Sequence, residues 1–319
     1  MLKDIIVNPV KSTFTVLLAS LFMAASPYVV ADQTIDKTFN AKPNGLLHID
    51  TDTGSINIES HQGNDIKVNI EIEGFDEGDF EIEFTQSDGG LKIEGDKKSS
   101  DWGWSSKRVR FEVSVPKQFN VKLETAGGSI SVSDLTGQVD VRTSGGSLSF
   151  ENIVGDINGR TSGGSIEVAD TKGDVQVRTS GGSLSLGDIE GTLHARTSGG
   201  SITLGVVTGP ADVATSGGSI RIREAGGSVV ARTSGGSVDV TFTKQPKGDS
   251  DISTSGGSVT ARLASDIAVN VYARGRKVFS DFEINGKTEA EYKLKGAING
   301  GGPELELQTS SGSVYIRKD

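Results

Sequence analysis

The fold is decided by the stretch Thr143-Ser-Gly-Gly-Ser-Leu-Ser-Phe-Glu-Asn-Ile-Val-Gly-Asp-Ile-Asn-Gly-Arg160, which is followed at once by Thr161-Ser-Gly-Gly-Ser165. The motif Thr-x-Gly-Gly-Ser therefore returns after 18 residues, and it keeps that spacing from Thr125 to Thr233. The next copy starts 21 residues later because one turn is longer, and degenerate copies stand near both ends of the chain. These three outer copies begin at Thr51, Thr254 and Thr309. Such a period predicts a repeat architecture rather than the disorder that 43 glycines alone would allow.

Aligning the copies produces columns of apolar residues that alternate with polar ones. One column contains Ile130, Leu148, Ile166, Leu184, Ile202, Ile220 and Val238, and the column two residues later contains Val132, Phe150, Val168, Leu186, Leu204, Ile222 and Val240. Alternation with period two indicates strands that have one face in the core. Because 18 residues are too few for a strand-helix-strand crossover, each copy must form one coil stacked about 4.8 Å above the previous one.

The sequence thus predicts an all-β protein, a single-chain β-solenoid (β-helix) with 18-residue coils and irregular β caps at both ends. The inward positions come from three stretches per coil, which favours a three-sided cross-section, with a flattened two-sided coil as the alternative. The predicted organisation is a signal peptide (1–31), an N-terminal β region and cap (32–120), regular coils (121–264), and a C-terminal β region with a final coil (265–319).

Residues 1–31 have the pattern of a secretory signal. Lys3 and Lys11 are basic, residues 14–25 are mostly apolar, and small residues end at Ala31. The apolar run is too short to span a bilayer, so we expect cleavage and no transmembrane segment afterwards, with an uncleaved anchor as the alternative. No cysteine follows the run, so we expect no lipoprotein anchor. We expect an exported protein. The periplasm is the favoured location, and the cell surface and secretion are the alternatives.

Composition excludes several classes of chemistry. The chain contains no cysteine, which rules out thiolate catalysis and cysteine-based metal sites. Its net charge of -10 opposes binding to nucleic acid. No cofactor, metal constellation or catalytic residue is predicted, since the three histidines are far apart in register and no helix follows the Gly-Gly-Ser motifs as a phosphate loop requires.

Beyond these patterns, the chain resembles a known family. Val113-Ser-Val-Pro116, the repeated Thr-Ser-Gly-Gly-Ser motif and the C-terminal run from Leu294 to Arg317 are similar to the bacterial β-strand-repeat family labelled "putative adhesin", a domain of unknown function. The resemblance covers nearly all of the chain after residue 31. It implies a repetitive β fold and an envelope or surface location, and it supplies no catalytic residue.

A column of arginines is the first candidate for ligand contact. It contains Arg142, Arg160, Arg178, Arg196 and Arg232, interrupted by Ala214. Stacked guanidinium groups could bind a polyanion such as an acidic polysaccharide or a phosphate-bearing envelope polymer. The alternative is a solvated ladder paired with acids such as Asp140, Glu167, Asp170 and Asp188.

The two tryptophans, Trp102 and Trp104, are the second candidate. They lie in the polar segment Ser99-Ser-Asp-Trp-Gly-Trp-Ser-Ser-Lys-Arg108, which is typical of a hairpin tip or loop. There the two rings could stack on a sugar or a partner, or they could seal the N-terminal end of the solenoid.

These observations favour a non-catalytic exported envelope protein, adhesin-like or a scaffold, that presents a repetitive binding surface. The alternative is a polysaccharide-binding or polysaccharide-cleaving β-helix protein whose acids would lie in the longer turn, residues 244–251. Possible partners are an envelope polysaccharide or another envelope protein, and a monomer is favoured.

Overall fold

The computed structural model of this chain describes residues 32–76, 78–98 and 107–319. In these ranges the chain forms 32 strands and no helix, arranged in two long sheets. Accordingly, no helix in the described part of the chain could cross a membrane. The all-β solenoid predicted from the repeat is confirmed. The predicted signal peptide and both tryptophans lie outside the described residues.

The strands fall into an N-terminal group, a regular group and a C-terminal group. The N-terminal group is β1 (Gln33–Asn40), β2 (Leu46–Thr51), β3 (Ser55–His61), β4 (Asp65–Glu73), β5 (Phe80–Ser87), β6 (Gly90–Lys97) and β7 (Arg108–Pro116). The regular group is β8 (Asn120–Thr125), β9 (Ile130–Ser133), β10 (Val139–Thr143), β11 (Leu148–Glu151), β12 (Ile153–Val154), β13 (Ile157–Arg160), β14 (Ile166–Val168), β15 (Thr171–Lys172), β16 (Val175–Arg178), β17 (Leu184–Leu186), β18 (Ile189–Glu190), β19 (Leu193–Arg196), β20 (Ile202–Val207), β21 (Ala211–Ala214), β22 (Ile220–Ala225), β23 (Val229–Thr233), β24 (Val238–Phe242), β25 (Ser250–Thr254) and β26 (Val259–Leu263). The C-terminal group is β27 (Val269–Arg274), β28 (Val278–Ser280), β29 (Asn285–Ala290), β30 (Lys293–Ile298), β31 (Glu304–Thr309) and β32 (Val314–Lys318).

Equivalent residues of successive coils lie directly opposite each other in parallel strands. In one sheet, here called sheet B, Val139 pairs with Ile157, Ile157 with Val175, and Val175 with Leu193. In the other sheet, sheet A, the apolar columns beginning at Ile130 and Val132 stack in the same way. These side chains are buried between the sheets, so each coil buries its apolar residues against its neighbours.

The cross-section combines three inward stretches with two sheets. Each regular coil contributes one strand to sheet B and one to sheet A, and the short strands β12, β15 and β18 add a third stretch in part of the stack. These short strands belong to sheet A, because β20 runs through both positions without a break. The three predicted stretches are therefore present, two of them within one sheet.

The Thr-Ser-Gly-Gly-Ser turns join one coil to the next. In the turn that begins at Thr161, the hydroxyl donates to the carbonyl of Gly146 at 2.7 Å and accepts from the backbone N–H of Gly164 at 3.4 Å. The backbone N–H of Ser165 donates to the hydroxyl of Ser147 at 3.2 Å. The buried threonine thus satisfies backbone groups of two coils at once, which explains why it is repeated.

At both ends the order of the coils in the stack differs from their order in the sequence. One coil is inserted between the regular coils and an outermost coil. At the N-terminal end β2 lies between β8 and β6, and β3 lies between β9 and β7. At the C-terminal end β31 lies between β25 and β27, and β32 lies between β26 and β28. The inserted coils contain the degenerate motifs that begin at Thr51 and Thr309. Both coils continue the column of hydrogen-bonded motif threonines, here called the threonine ladder: the Thr125 hydroxyl donates to the Gly54 carbonyl at 3.1 Å, and the Thr309 hydroxyl donates to the Gly257 carbonyl at 2.6 Å.

Antiparallel strands cover most of the outermost edges. β4 and then β1 extend sheet A beyond β7, and β5 extends sheet B beyond β6. At the other end β30 and then β29 extend sheet B beyond β27. Because unpaired strand edges invite pairing with other chains, this arrangement limits uncontrolled growth of the solenoid.

Candidate ligand-contact surface

The predicted arginine column lies on the outer face of sheet B. Arg142, Arg160, Arg178 and Arg196 occupy the same position in four adjacent parallel strands and pair in sequence along the stack. Ala214 takes the next position and Arg232 the one after it, as the sequence indicated. The guanidinium groups are exposed or half-buried, so the column forms one face available to a ligand.

Three of these arginines bind acids of the same sheet. Arg142 lies 3.8 Å from Asp140, and Arg232 lies 2.6 Å from Asp251. Arg196 contacts both the carboxylate and the backbone carbonyl of Asp212. All are partly exposed surface pairs, worth at most about 1 kcal/mol each to stability.

The other two, Arg160 and Arg178, form no ion pair with any residue that the structure describes. The acid that stands two positions earlier in β10 is replaced by Asn158 in β13 and by Gln176 in β16. Two like charges on neighbouring strands, about 4.8 Å apart, repel each other without a counter-charge.

Of the acids that the sequence offered as partners, only Asp140 has that role. Glu167 lies in β14 of sheet A, and Asp188 binds Arg223 at 3.1 Å. Asp170 is exposed and forms no ion pair within the described part of the chain. Of the four acids named for the ladder, one therefore pairs with an arginine of the column, and Asp212 and Asp251 pair with two others.

A groove of about 600 Å³ follows the column beside the turns. The residues that line it include Arg142, Arg160 and Arg178, the turn serines Ser144, Ser162 and Ser180, and the acids Asp50, Asp52 and Glu124 of the adjoining N-terminal coils. A second groove of about 770 Å³ lies at the same edge farther along, lined by Arg232, Arg274, Tyr292 and others. The two grooves offer guanidinium and hydroxyl donors in steps of one coil, which suits an extended anion-bearing chain.

The column continues beyond Arg142 into the N-terminal strands, but its side chains there are acidic instead of basic. The equivalent positions in the N-terminal strands hold Glu124, Asp50, Glu94 and Glu83, in that order away from Arg142. Hydrogen bonding to Lys122 holds the pKa of Glu124 below its ordinary value, and the charge of Arg142 acts in the same direction. The continuity of this acidic half with the arginines was not predicted from the sequence, although Asp50 precedes Thr51 as Arg142 precedes Thr143.

The neighbouring outward column, two residues earlier in each strand, contains Lys92, His48, Lys122, Asp140 and Asn158. Burial, followed by the charges of Lys122 and Lys92, lowers the pKa of His48. Three buried side-chain atoms, Nε2 of His48, Oδ1 of Asn158 and Oδ1 of Asp212, have no hydrogen-bond partner among the described residues.

The acids of the longer turn have structural partners. Asp249 accepts a hydrogen bond from the backbone N–H of Glu304 at 2.8 Å, and Asp251 binds Arg232. No group of three or more potential ligands among the described residues could hold a metal ion. The turn thus supplies no pair of unengaged carboxylates facing a common cleft.

An aromatic patch at the C-terminal end was also missed by the sequence analysis. Phe279, which is exposed, stacks on Tyr315 with ring centroids 5.2 Å apart and an interplanar angle of 9°. The guanidinium of Arg317 lies over the Tyr315 ring at 5.1 Å. Trp102 and Trp104, the predicted aromatic contacts, lie outside the described residues.

A family model described as Toastrack DUF4097 matches residues 46–317. No curated protein matches the chain significantly. Among solved structures, a putative adhesin from Parabacteroides merdae is 12% identical, with 89% of this chain and 96% of that chain covered and a TM-score of 0.42. A putative lipid binding protein from Parabacteroides distasonis is 13% identical, covering 90% and 97%, with a TM-score of 0.40. A putative adhesin from Bacteroides fragilis is 13% identical, covering 90% and 97%, with a TM-score of 0.35.

Proposed function

The chain belongs to the Toastrack DUF4097 family, and from this premise we propose that it is a non-catalytic, adhesin-like envelope protein that binds an extended anionic polymer along the arginine column. The single observation that carries the proposal is the pair Arg160 and Arg178. These exposed guanidinium groups lie on adjacent strands in a groove of about 600 Å³, and neither forms an ion pair with a described residue, although the acids Asp50, Asp52 and Glu124 line the same groove.

Electrostatics favours an elongated ligand over a compact one. The arginines repeat once per coil, about every 4.8 Å, so a polymer lying along the stack meets a new guanidinium group at each step. Carboxylates and phosphates both accept paired hydrogen bonds from the planar guanidinium fork. The exposed serine hydroxyls beside the column add neutral donors for sugar or phosphate oxygens.

The location and the lack of catalysis are parts of the same proposal. Export is supported by the N-terminal signal pattern in residues 1–31. A binding role without catalysis is supported by the acids of the longer turn, which are engaged in structural contacts.

The test is binding of the purified protein, without residues 1–31, to polygalacturonate and to inorganic polyphosphate, with neutral dextran as the polymer control. We expect saturable binding to at least one anionic polymer and none to dextran. Raising the ionic strength to about 1 M should weaken binding, because the Debye length shrinks to about 3 Å.

A matched pair of variants locates the site. Arg160→Ala/Arg178→Ala should lower the affinity at least tenfold, equivalent to about 1.4 kcal/mol. Arg221→Ala/Arg223→Ala removes the same charge from β22 on the opposite sheet and should leave the affinity within about twofold. Equal losses of affinity in both variants would show that binding depends only on net charge, which would contradict the proposal. Unchanged affinity in the first variant would contradict it as well.

A further inference from the structure

The outer face of sheet B has a charge pattern that is complementary to itself. Along the column, four acidic positions are followed by four basic ones, with the change of sign between β8 and β10. In stacking order the eight residues are Glu83, Glu94, Asp50, Glu124, Arg142, Arg160, Arg178 and Arg196.

We propose that two copies of this chain pair face to face through sheet B, with antiparallel stacks related by a two-fold axis that runs along the strands between β8 and β10. This axis reverses the order of the coils and keeps each residue at its own position along the strand. Consequently an acidic half faces a basic half in both directions, as an isologous interface requires. The facing pairs are Glu124 with Arg142, Asp50 with Arg160, Glu94 with Arg178, and Glu83 with Arg196.

The neighbouring column obeys the same axis. Lys122 comes to face Asp140 of the second copy, which is again an opposite-charge pair. His48 comes to face Asn158, and both side chains are half-buried on the outer face of the sheet. An imidazole and a side-chain amide are polar groups that can hydrogen-bond to each other, so this pair is compatible with a contact between two copies. The axis derived from charges alone thus also brings these two residues together.

The pairing also gives the two unpaired arginines their counter-charges. Arg160 and Arg178 meet Asp50 and Glu94, whereas Arg142 and Arg196, which already contact acids of their own chain, gain a second one. Opposite charges across an interface fix its register more than they raise its affinity.

The size of the contact predicts a weak, reversible dimer. Eight strand positions span roughly 40 Å, and the outward part of each strand is about 13 Å wide. The pair therefore buries on the order of 1,000 Å² in total, at the lower limit for specific association. We expect dimers at high protein concentration and low ionic strength, and monomers when salt screens the columns.

The pairing needs no polymer, but it uses the same arginines as the polymer proposed above. A polyanion and a second copy therefore exclude each other, and binding of the polymer should release monomers. Free protein would keep its basic column covered until a polymer of sufficient charge density displaces the partner.

The test is sedimentation velocity with charge-reversal variants at about 10 mM ionic strength, where the Debye length is about 30 Å. Wild type should sediment as a concentration-dependent dimer, and it should become monomeric at about 1 M salt. Arg160→Glu/Arg178→Glu makes the column almost wholly acidic, and Asp50→Arg/Glu94→Arg makes it largely basic. Each variant alone should remain monomeric, because like charges then face each other.

The decisive sample is an equimolar mixture of the two variants, which restores every opposite-charge pair. The mixture should form a heterodimer, and circular dichroism checks that both variants are folded. A mixture that stays monomeric, or a wild type that stays monomeric at low salt, would overturn the pairing. The Asp50→Arg/Glu94→Arg variant keeps all its arginines and should still bind polygalacturonate or polyphosphate, so failure of the pairing and failure of the proposed polymer binding give different results.

Discussion

Single residues in the turns decide whether two coils can approach. The two glycines of each motif have different surroundings, although they are adjacent in the sequence. A Cβ atom on Gly164 would lie 2.1 Å from the carbonyl oxygen of Gly146, whereas the nearest atom to a Cβ on Gly163 would be the Gly145 carbonyl oxygen at 3.4 Å, an ordinary contact distance. In this motif the second glycine is therefore required by the close contact between backbones and the first is not, whereas in later coils the first position also tightens, to 2.8 Å at Gly235 and 2.7 Å at Gly256.

This difference predicts unequal effects of the same substitution. Gly164→Ala should lower the free energy of unfolding by about 2–4 kcal/mol, because backbone atoms of the neighbouring coil must shift. Gly163→Ala, the matched control, should change it by less than about 1 kcal/mol. Urea denaturation followed by circular dichroism measures both values. Equal losses would show that the contact at Gly164 is not what limits the turn.

His48 predicts a dependence of stability on pH. Its pKa in the folded protein is lowered from 6.5, first by burial and then by the charges of Lys122 and Lys92. The unfolded chain therefore binds more protons below pH 6.5, and the folded state should lose stability as the pH falls from 6.5 through the folded pKa. We expect an NMR titration midpoint for His48 below 6.5. Between pH 7 and pH 5, wild type should lose more stability than His48→Gln, measured in high salt; parallel profiles would contradict this assignment.

The residue columns themselves were predictable, whereas the partners of the arginines were predictable only in part. The 18-residue period alone places Arg142, Arg160 and Arg178 above one another. The absence of acids beside the last two follows from Asn158 and Gln176, which stand two positions earlier in the same strands and were visible in the sequence. The distribution of Glu167 and Asp188 over the other face required knowledge of where each coil turns from sheet B to sheet A.

Among the elements, the inserted coils are the feature that the sequence did not predict. The motif copies at Thr51 and Thr309 indicated that coils exist near both ends, and both copies do continue the threonine ladder. Their order in the stack was not predictable, because every coil offers the same pattern of backbone N–H and C=O groups to a neighbour. The order depends on the long connections and antiparallel strands that lead from β3 to β7 and from β28 to β30.

Because β31 and β32 lie inside the stack, we expect them to stabilise the coils on both of their sides. Deletion of residues 303–319 removes β31 and β32, which separate β25 and β26 from β27 and β28. The remaining segment 265–298 then loses its parallel partners, and we expect rapid cleavage of this segment in limited proteolysis. Deletion of β1 is the control, since that strand pairs only with β4 at an edge of sheet A within the described residues. Resistance of residues 265–298 after the C-terminal deletion would contradict the inserted order.

For the whole molecule, stability should be the sum of similar coils and the contacts between them. Deletion of residues 161–178 removes one complete coil and joins Arg160 to Thr179, so that every apolar column and the threonine ladder remain continuous. We expect a cooperatively folded protein whose stack is shorter by about 4.8 Å. Small-angle scattering measures the length, and urea denaturation measures the stability.

The same deletion separates the fold from the binding surface. It removes Arg178 and leaves Arg160 beside Arg196, which is engaged by Asp212, so polymer affinity should fall as it does in the double alanine variant while the protein stays folded. A deletion of half a coil, residues 161–169, is the control, because it places residues of sheet A where a turn is needed and exposes the apolar columns. That variant should fail to fold cooperatively. If the two deletions behaved alike, the 18-residue coil would not be the unit of stability, and if the complete-coil deletion bound polymer as tightly as wild type, the adjacent arginines would not form the binding surface.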